Sequence, residues 1–321
     1  MSARSTGGKA PDAPGTEASG VVLVDKPQGW TSHDVVGRIR RLAGTRKVGH
    51  AGTLDPMATG LLVVGVNKAT RLLTAITGTD KTYTATIRLG QSTVTDDAEG
   101  EVVQTRLANA VTPERVAEQV AALTGEILQV PSAVSAVKVA GRRAYDRVRA
   151  GEDVTLDARP VTVHEFTVHE LRRLDGGRLV DLDVTVRCSS GTYIRALARD
   201  LGEALETGGH LTALRRTAVG PFDVADALTL EALAERFAMT ELSEAAAGLF
   251  PVRELTEHEA HELAFGRVVA PTGTGETLVA GRAPDGRVIA LVSDVRRRGA
   301  DVAKPQLVFA PAEGPGQGRT A

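Results

Sequence analysis

The chain has 321 residues, of which 42% are hydrophobic and 24% charged, with a formal net charge of −2. This length suits one large domain with a small one, and the composition is that of a globular protein. The slightly negative charge excludes a protein that binds nucleic acid through a uniformly basic surface, so any basic face must be local.

Neither end of the chain predicts a targeting or membrane segment. Residues 1–19 lack the apolar stretch of a signal peptide and are predicted to be a disordered tail, as are the Gly/Pro-rich residues 311–321. The longest apolar run, near Leu61–Val66, is too short to span a membrane. Cys188 is the only cysteine, which rules out an intramolecular disulfide and favours the cytoplasm.

The first elements are predicted from periodicity. A strand begins at Gly20 in "GVVLVDKP". The stretch "TSHDVVGRIRRLAG" predicts a helix with Thr31 or Ser32 as N-cap and Gly44 at its end, because its apolar residues recur at helical spacing. "KTYTATIRLG" alternates strictly, which predicts a strand with Tyr83 on its apolar face.

The following elements continue this mixture. "TPERVAEQVAALTG" predicts a helix capped by Thr112 and ended by Gly125. "LVDLDVTVRC" is another alternating strand, and "GTYIRALARDLGEAL" predicts a helix with Tyr193 and Arg195 in its first turn. Since regular βαβ repeats are few, we expect an α/β protein with an antiparallel or mixed sheet rather than a doubly wound one.

The composition changes toward the C-terminus. Residues 231–262 hold eight glutamates and only two arginines. Short β-like runs separated by Gly and Pro follow, as in "VIALVSDV". We therefore predict a boundary near Ala247, with a large domain at 20–247 and a small, mostly-β domain at 248–310.

Asp55, in "GHAGTLDPMATGLLVVGV", is open to two interpretations. Asp-Pro is a common turn pair, so the residue is either part of a turn or a reactive carboxylate. No other residue from Ala51 to Val66 is charged. If this segment packs against the core, the carboxylate needs a cation from elsewhere in the chain, a pairing typical of catalytic sites.

Arg195 is a candidate for that cation. A cation in the first turn of a helix opposes the helix dipole, which suggests a partner outside the helix; the alternative is a solvated arginine. Tyr83 is either a core tyrosine or a ring that stacks on a base and offers its hydroxyl for proton transfer.

Basic residues form three clusters, at residues 26–50, 138–149 and 215–216. They fit either solvated faces or a local groove for a phosphate backbone. Other chemistries lack their motifs: the sequence contains no Walker A motif, no zinc-ligand spacing, no HExxH and no G-x-S-x-G elbow.

Five blocks together resemble the TruB family of tRNA pseudouridine synthases. They occur in the family's order and spacing and extend from residue 20 to about 225. The blocks are "LVDKPQGWTSHDVV", "GHAGTLDPMATGLLVVGVNKATRLL", "KTYTATIRLGQSTVTDDAEG", "CSSGTYIRALARDLG" and "HLTALRRTAVGPF".

The resemblance implies a pseudouridine synthase fold for residues 20–247, with a central, mainly antiparallel mixed sheet flanked by helices. It implies a small, mostly-β PUA-like domain for residues 248–310. It implies an isomerase that converts the T-loop uridine at tRNA position 55 to pseudouridine, breaking the N1–C1′ bond and joining C5 to C1′. It further implies no metal and no organic cofactor. The implied partner is the tRNA T stem-loop, bound by a cytoplasmic monomer without a guide RNA or obligatory protein partner.

The resemblance also assigns site residues. Asp55 matches the catalytic carboxylate, for which attack at C1′, addition at C6 and removal of a ribose proton are all open. Arg195 matches the arginine paired with it. Tyr83 matches the tyrosine that stacks on the target base and helps to remove the C5 proton. The positions that match further site-lining residues are Lys26, His50, Asp97, Tyr193 and Leu214.

The chain departs from the family's pattern at two places. Ala133-Val134 stands where Met-Tyr is usual, and Val94 where an acidic residue is common. Either change can alter an RNA contact or the pocket lining, and neither affects Asp55, Tyr83 or Arg195.

Two other functions use the same surfaces. One is a tRNA-binding folding factor that acts without chemistry, and the other is a guide-RNA-dependent relative that needs partner subunits. Binding alone requires no buried carboxylate, and the chain lacks a long basic C-terminal tail. Both observations favour the stand-alone enzyme.

Overall fold

The computed structural model describes residues 17–132 and 156–309, together with the backbone of two short strands between them. Most of the predicted N-terminal tail, the C-terminal tail and Ala133-Val134 lie outside the described residues. The strands are β1 (Gly20–Lys26), β2 (Val48–Ala51), β3 (Thr59–Val66), β4 (Lys81–Leu89), β5 (Gln91–Thr93), β6 (Val102–Thr105), β7 (Gly125–Gln129), β8 (Lys138–Val139), β9 (Arg142–Arg143), β10 (Arg159–Leu174), β11 (Leu179–Cys188), β12 (Gly209–Val219), β13 (Phe222–Asp223), β14 (Thr240–Glu241), β15 (Val252–Glu254), β16 (Val279–Arg282), β17 (Val288–Arg297) and β18 (Ala300–Val308). The helices are α1 (Ser32–Ala43), α2 (Leu73–Gly78), α3 (Pro113–Ala122), α4 (Ile194–Ala204), α5 (Leu230–Glu235), α6 (Leu242–Leu249) and α7 (Glu257–Ala264).

A ten-stranded sheet forms the centre of the molecule, in the order β14-β1-β3-β12-β4-β11-β10-β7, with β2 paired to β3 and β13 to β12. Only β3 and β12 run parallel; the other pairs in this sheet are antiparallel. The prediction of a mixed, mainly antiparallel sheet is confirmed. The late strand β12 lies between β3 and β4, which are consecutive in the chain.

Local sequence signals set the ends of α1. The Thr31 hydroxyl accepts a hydrogen bond from the backbone N–H of Asp34, and the Asp34 carboxylate accepts one from the backbone N–H of Thr31, which is a capping box. Gly44 ends the helix in the left-handed conformation, at φ 61°. Thr31 is therefore the N-cap, and Ser32 is free for another contact.

The alternating strands fold as their patterns predict. In β4, Tyr83, Ala85, Ile87 and Leu89 are buried, whereas the intervening residues are more exposed. α3 ends at Ala122, three residues before the predicted stop at Gly125. Gly125, at φ +96°, instead begins β7, because its lack of a side chain permits this backbone turn.

Helices cover the sheet from two directions. α3 and α4 pack on the face formed by the apolar residues of β4 and β11, where Leu182 and Leu197 are fully buried. α1 and α5 pack against β1 and β3, around Ile39 and Leu62. No helix in the described part of the chain is long and apolar enough to cross a membrane.

The C-terminal part contains a four-stranded sheet, β15-β16-β17-β18, with α7 packed on it. This confirms the mostly-β character that the sequence predicts there. Phe309 and Leu291 share one apolar core with Leu61 and Val63 of β3. The boundary predicted near Ala247 falls within α6 and stays a prediction.

Candidate active site

A short loop between β2 and β3 carries Asp55, and the side chain of Lys26 is hydrogen-bonded to the backbone of this loop. The fully buried Lys26 ammonium donates hydrogen bonds to the backbone carbonyls of Pro27 (3.0 Å), Trp30 (2.7 Å) and Pro56 (3.3 Å). Burial lowers the pKa of Lys26 to about 8, so the group is mainly protonated at neutral pH. Lys26 thus brings positive charge to the loop of Asp55 while it fixes the backbone.

Ser32 fixes the same loop from the start of α1. Its buried hydroxyl accepts a hydrogen bond from the Leu54 N–H (2.9 Å) and donates one to the Leu54 carbonyl (3.1 Å). The Ala58 N–H bonds to the carbonyl of Asp55 itself (3.1 Å). Hydrogen bonds to Ser32 and Ala58 therefore fix the backbone on both sides of the carboxylate.

The carboxylate pairs with Arg195, as the sequence predicts for a partner from elsewhere in the chain. Arg195 Nη2 lies 3.0 Å from Asp55 Oδ2, and its Nη1 lies 3.5 Å from Asp97 Oδ2. The same Nη1 donates to the Thr95 carbonyl (2.9 Å). The Arg195 side chain is only 5% exposed, whereas that of Asp55 is 38% exposed. The guanidinium is fixed inside, and the carboxylate faces the opening.

Opposing effects act on the acidity of Asp55. Burial raises the pKa of Asp55 above the ordinary carboxyl value; Arg195 lowers it, Asp97 raises it and Lys26 lowers it, and the net direction is upward. Such a carboxylate is a stronger base than one in water. A raised pKa beside a specific charge partner in a cleft is typical of functional sites.

Tyr83, Leu214 and Arg216 form the floor beside this pair. Tyr83 and Leu214 are each 8% exposed, and Arg216 is 1% exposed. Arg216 donates from Nε to the Leu61 carbonyl (2.8 Å) and from Nη2 to the Gly52 carbonyl (3.0 Å). Burial raises the pKa of the Tyr83 hydroxyl, and the neighbouring Arg216 opposes the rise. The hydroxyl is consequently neutral at physiological pH.

These groups surround a pocket of about 280 Å³. Another part of its wall is the turn between β11 and α4, which ends in Tyr193. The buried Gln129 amide brackets the Tyr193 backbone, accepting from its N–H (2.8 Å) and donating to its carbonyl (3.1 Å). Arg195 lies in the first turn of α4, as predicted. Tyr193 is the N-cap and lies one residue before the helix begins.

Of the eight residues predicted for the site, five line this pocket. Asp97 contacts Arg195 from behind, and Lys26 lies beneath the loop. His50 does not line the pocket: its ring lies edge-on to His33 at 5.9 Å between centroids. Its Nδ1 atom is buried without a hydrogen-bond partner among the described residues. The residues that line the pocket are Asp55, Tyr83, Tyr193, Arg195 and Leu214.

Sequence reasoning missed the supporting residues. Arg216 follows Leu214 by two positions on β12, and this period-2 spacing is a signal that both face the same side. Ser32 was visible only as a possible cap, and nothing in the sequence indicated Gln129. Among the described residues, no three His, Cys, Asp or Glu side chains are grouped to hold a metal ion.

Family models match nearly the whole chain. Residues 40–194 match the N-terminal domain of the TruB family pseudouridylate synthases, and residues 195–271 match the tRNA pseudouridylate synthase B C-terminal domain. Residues 250–310 match the C-terminal model of tRNA pseudouridine synthase II.

Similar proteins and structures agree with these models. A tRNA pseudouridine synthase B of Arthrobacter sp. (strain FB24) is 66% identical over 308 residues, covering 93% of this chain and 99% of that protein. The one from Thermobifida fusca (strain YX) is 60% identical over 295 residues, covering 91% and 99%. A chain in the crystal structure of a Cbf5-Nop10-Gar1 complex superposes with a TM-score of 0.70 at 26% identity, covering 91% of this chain and 85% of that one. The protein therefore belongs to the TruB family of pseudouridylate synthases.

Proposed function

We propose that this protein isomerises the uridine at position 55 of tRNA, in the T loop, to pseudouridine. The observation that carries the proposal is the Asp55 carboxylate, which faces a pocket while the buried Arg195 holds it at 3.0 Å. The names of the relatives at 66% and 60% identity, tRNA pseudouridine synthase B, support tRNA as the substrate.

The reaction balances without any co-reactant. The N1–C1′ bond breaks, the uracil turns within the pocket, and C5 forms a new bond to C1′. C5 loses one proton and N1 gains one, so no electrons enter or leave. The chain must supply only a fixed carboxylate, a surface on which the base can turn, and a route for one proton.

Each of these parts has a candidate residue. Asp55 acts on the nucleotide, with its basicity raised by burial. Arg195 positions that carboxylate, and Asp97 positions Arg195. Tyr83 stacks on the base, and its neutral hydroxyl relays the C5 proton. Tyr193 and Leu214 confine the ring, while Lys26 holds the loop of Asp55 in place.

The target nucleotide must leave its stack to reach Asp55. Extrusion of a base costs a few kcal/mol, and stacking on an aromatic side chain returns about 1–3 kcal/mol. We assign to His50, whose ring lies edge-on to His33, a contact with the displaced RNA. We propose that the chain does this alone, as a cytoplasmic monomer without a guide RNA or partner protein.

A pseudouridine map of tRNA tests the proposal. Unmodified tRNA transcript is incubated with the purified chain alone and then mapped for pseudouridine. We expect modification at position 55 with the wild type and none with Asp55→Asn. Asp175→Asn, which changes an exposed carboxylate in a surface turn, serves as the matched control and should retain full activity.

Three results would contradict parts of this proposal. Modification by Asp55→Asn would remove the role of Asp55. Modification only at another uridine would remove the T-loop assignment. Activity that appears only after a second RNA or protein is added would remove the proposal that the chain acts alone.

A further inference from the structure

The structure separates the basic residues that the sequence groups together. Arg215 makes a two-point ion pair with Asp25, at 2.9 and 2.8 Å. Arg216 and Lys26 are buried and donate to backbone carbonyls. These three cations are occupied within the protein and have little charge to offer to an RNA backbone.

Five further cations on α1 and in the segments beside its end are available, and we call them the basic strip. Four of them are exposed and one is partly buried. Among the described residues, none has a carboxylate partner or a hydrogen bond from its side chain. The strip consists of Arg38, Arg41, Arg46, Lys47 and Lys68.

The C-terminal part of the chain differs from the strip. Five of its arginines form ion pairs with neighbouring carboxylates, whereas Arg297, Arg298 and Lys304 have no carboxylate partner among the described residues. The paired arginines are Arg253, Arg267, Arg282, Arg287 and Arg296. The contrast matters because the whole protein carries a net charge of −2 and offers positive potential only where cations lack partners.

The members of the basic strip belong to neighbouring segments of the structure. Arg38 and Arg41 are three residues apart on α1 and are therefore neighbours on the helix surface. The Lys47 carbonyl accepts from the backbone N–H of Asn67 (2.7 Å). That bond brings the turn after α1 against the residue before Lys68. The strip thus occupies the second half of α1, which ends at Ala43, and continues beyond it.

The N-terminal end of α1, about 9 Å along the helix from Arg38, lies beside the candidate active site. Ser32, the first residue of α1, bonds to both backbone groups of Leu54, next to Asp55. One residue later, His33 contacts the ring of His50. A polyanion lying along α1 would therefore reach the pocket at the N-terminal end of the helix.

We propose that the basic strip binds the sugar–phosphate backbone of the RNA whose uridine enters the pocket. This inference rests on the proposed function, because it takes the substrate to be an RNA. Each unpartnered cation that neutralises a phosphate releases counterions, so the contact gives affinity without sequence preference. The strip fits a chain of regularly spaced negative charges better than an isolated anion, since its cations are spread over the second half of α1 and the segments beside its end.

Salt-dependent binding tests the strip directly. Unmodified tRNA is titrated with the full chain in an Asp55→Asn background, so that no product forms. In the strip variant, Arg41, Arg46 and Lys47 are replaced by Gln. We expect affinity to fall by about 10- to 100-fold at moderate salt, and the slope of log K against log salt to shrink by about 2–3. Single-turnover rates at saturating enzyme, measured with Asp55 present, should not change.

The matched control removes three exposed cations from the C-terminal hairpin, as Arg297→Gln, Arg298→Gln and Lys304→Gln. This variant should keep both the affinity and the salt slope within about twofold. The inference is overturned if the strip variant binds like the wild type, or if the control variant shows the loss instead. If the strip variant binds tRNA weakly but the wild type forms no pseudouridine, the inference that the strip binds RNA holds and the proposed function is contradicted.

Discussion

At the residue scale, the state of Asp55 depends on its charged neighbours. Burial and Asp97 raise its pKa, and Arg195 and Lys26 lower it. If the carboxylate acts as an anion, kcat/KM should rise with pH through an apparent pKa above the ordinary carboxyl value. Asp97→Asn should move this acid limb to lower pH, because a negative neighbour is removed. Rates measured on tRNA transcript across pH give this apparent pKa for the wild type and for the variant. An apparent pKa that is unchanged or higher in the variant contradicts the electrostatic effect of Asp97 on Asp55.

The raised pKa of Asp55 also makes the stability of the folded protein depend on pH. The folded chain holds this proton to higher pH than the unfolded chain does, so stability is lost as pH rises through the folded pKa. Asp55→Asn should therefore be more stable than the wild type at neutral pH, and this advantage should shrink in acid. Thermal unfolding of both proteins across that range measures it; a variant less stable at neutral pH would contradict the account.

Tyr83 can be divided into a ring and a hydroxyl. Tyr83→Phe keeps the stacking surface and removes the group proposed to relay the C5 proton. We expect a fall in kcat of about 10²- to 10⁴-fold with little change in tRNA affinity. Single-turnover rates and equilibrium binding separate the two effects. Equal losses in both would assign Tyr83 to binding alone.

The residues proposed to react could be predicted from sequence, whereas the residues that hold them in place could not. Asp55 is distinctive because no other charge lies between Ala51 and Val66. Arg195 is a candidate partner because a cation in the first turn of a helix suggests a partner outside it, and the resemblance matches both residues to a pair. Arg216 and Gln129 act through backbone carbonyls and N–H groups, which any polar side chain can contact. Only the three-dimensional arrangement identifies which one does.

At the scale of elements, the start of α1 performs two separate tasks with adjacent residues. Thr31 caps the helix, and Ser32 holds the backbone of Leu54. Thr31→Ala should cost about 1 kcal/mol of stability and leave kcat unchanged. Ser32→Ala should cost about 1–3 kcal/mol and also lower kcat, because Leu54 loses both bonds beside Asp55.

Chemical denaturation and single-turnover rates on the two variants check this division. A drop in kcat for Thr31→Ala as large as that for Ser32→Ala would contradict it. The sequence alone left Thr31 and Ser32 as equivalent caps, because both hydroxyls suit that position. The distinction comes from packing of α1 against a loop more than twenty residues away.

At the scale of the whole molecule, the C-terminal sheet and the central sheet share a core. Phe309 and Leu291 pack with Leu61 and Val63 of β3. Removal of residues 250–321 should therefore expose apolar surface on the central sheet and lower its unfolding temperature. The full chain should unfold in one transition that circular dichroism and activity report together. Two well-separated transitions would show that the parts are independent.

The class of the central sheet could be predicted, but its strand order could not. Alternating apolar residues identified β4 and β11 individually. Which strands become neighbours depends on contacts between distant segments, and here β12 pairs with both β3 and β4. Neither the period nor the turn residues of β12 encode that insertion.

The place of β12 also governs how the protein can be made. β3 ends at Val66 and β4 begins at Lys81, whereas β12 begins only at Gly209. During translation, β3 and β4 each have an unpaired edge until β12 emerges from the ribosome. Unpaired strand edges can pair with the wrong partner. Leu214 and Arg216 arrive with that strand, so the pocket has no complete floor before then. A nascent chain is therefore expected to leave RNA unmodified until most of its length has been translated.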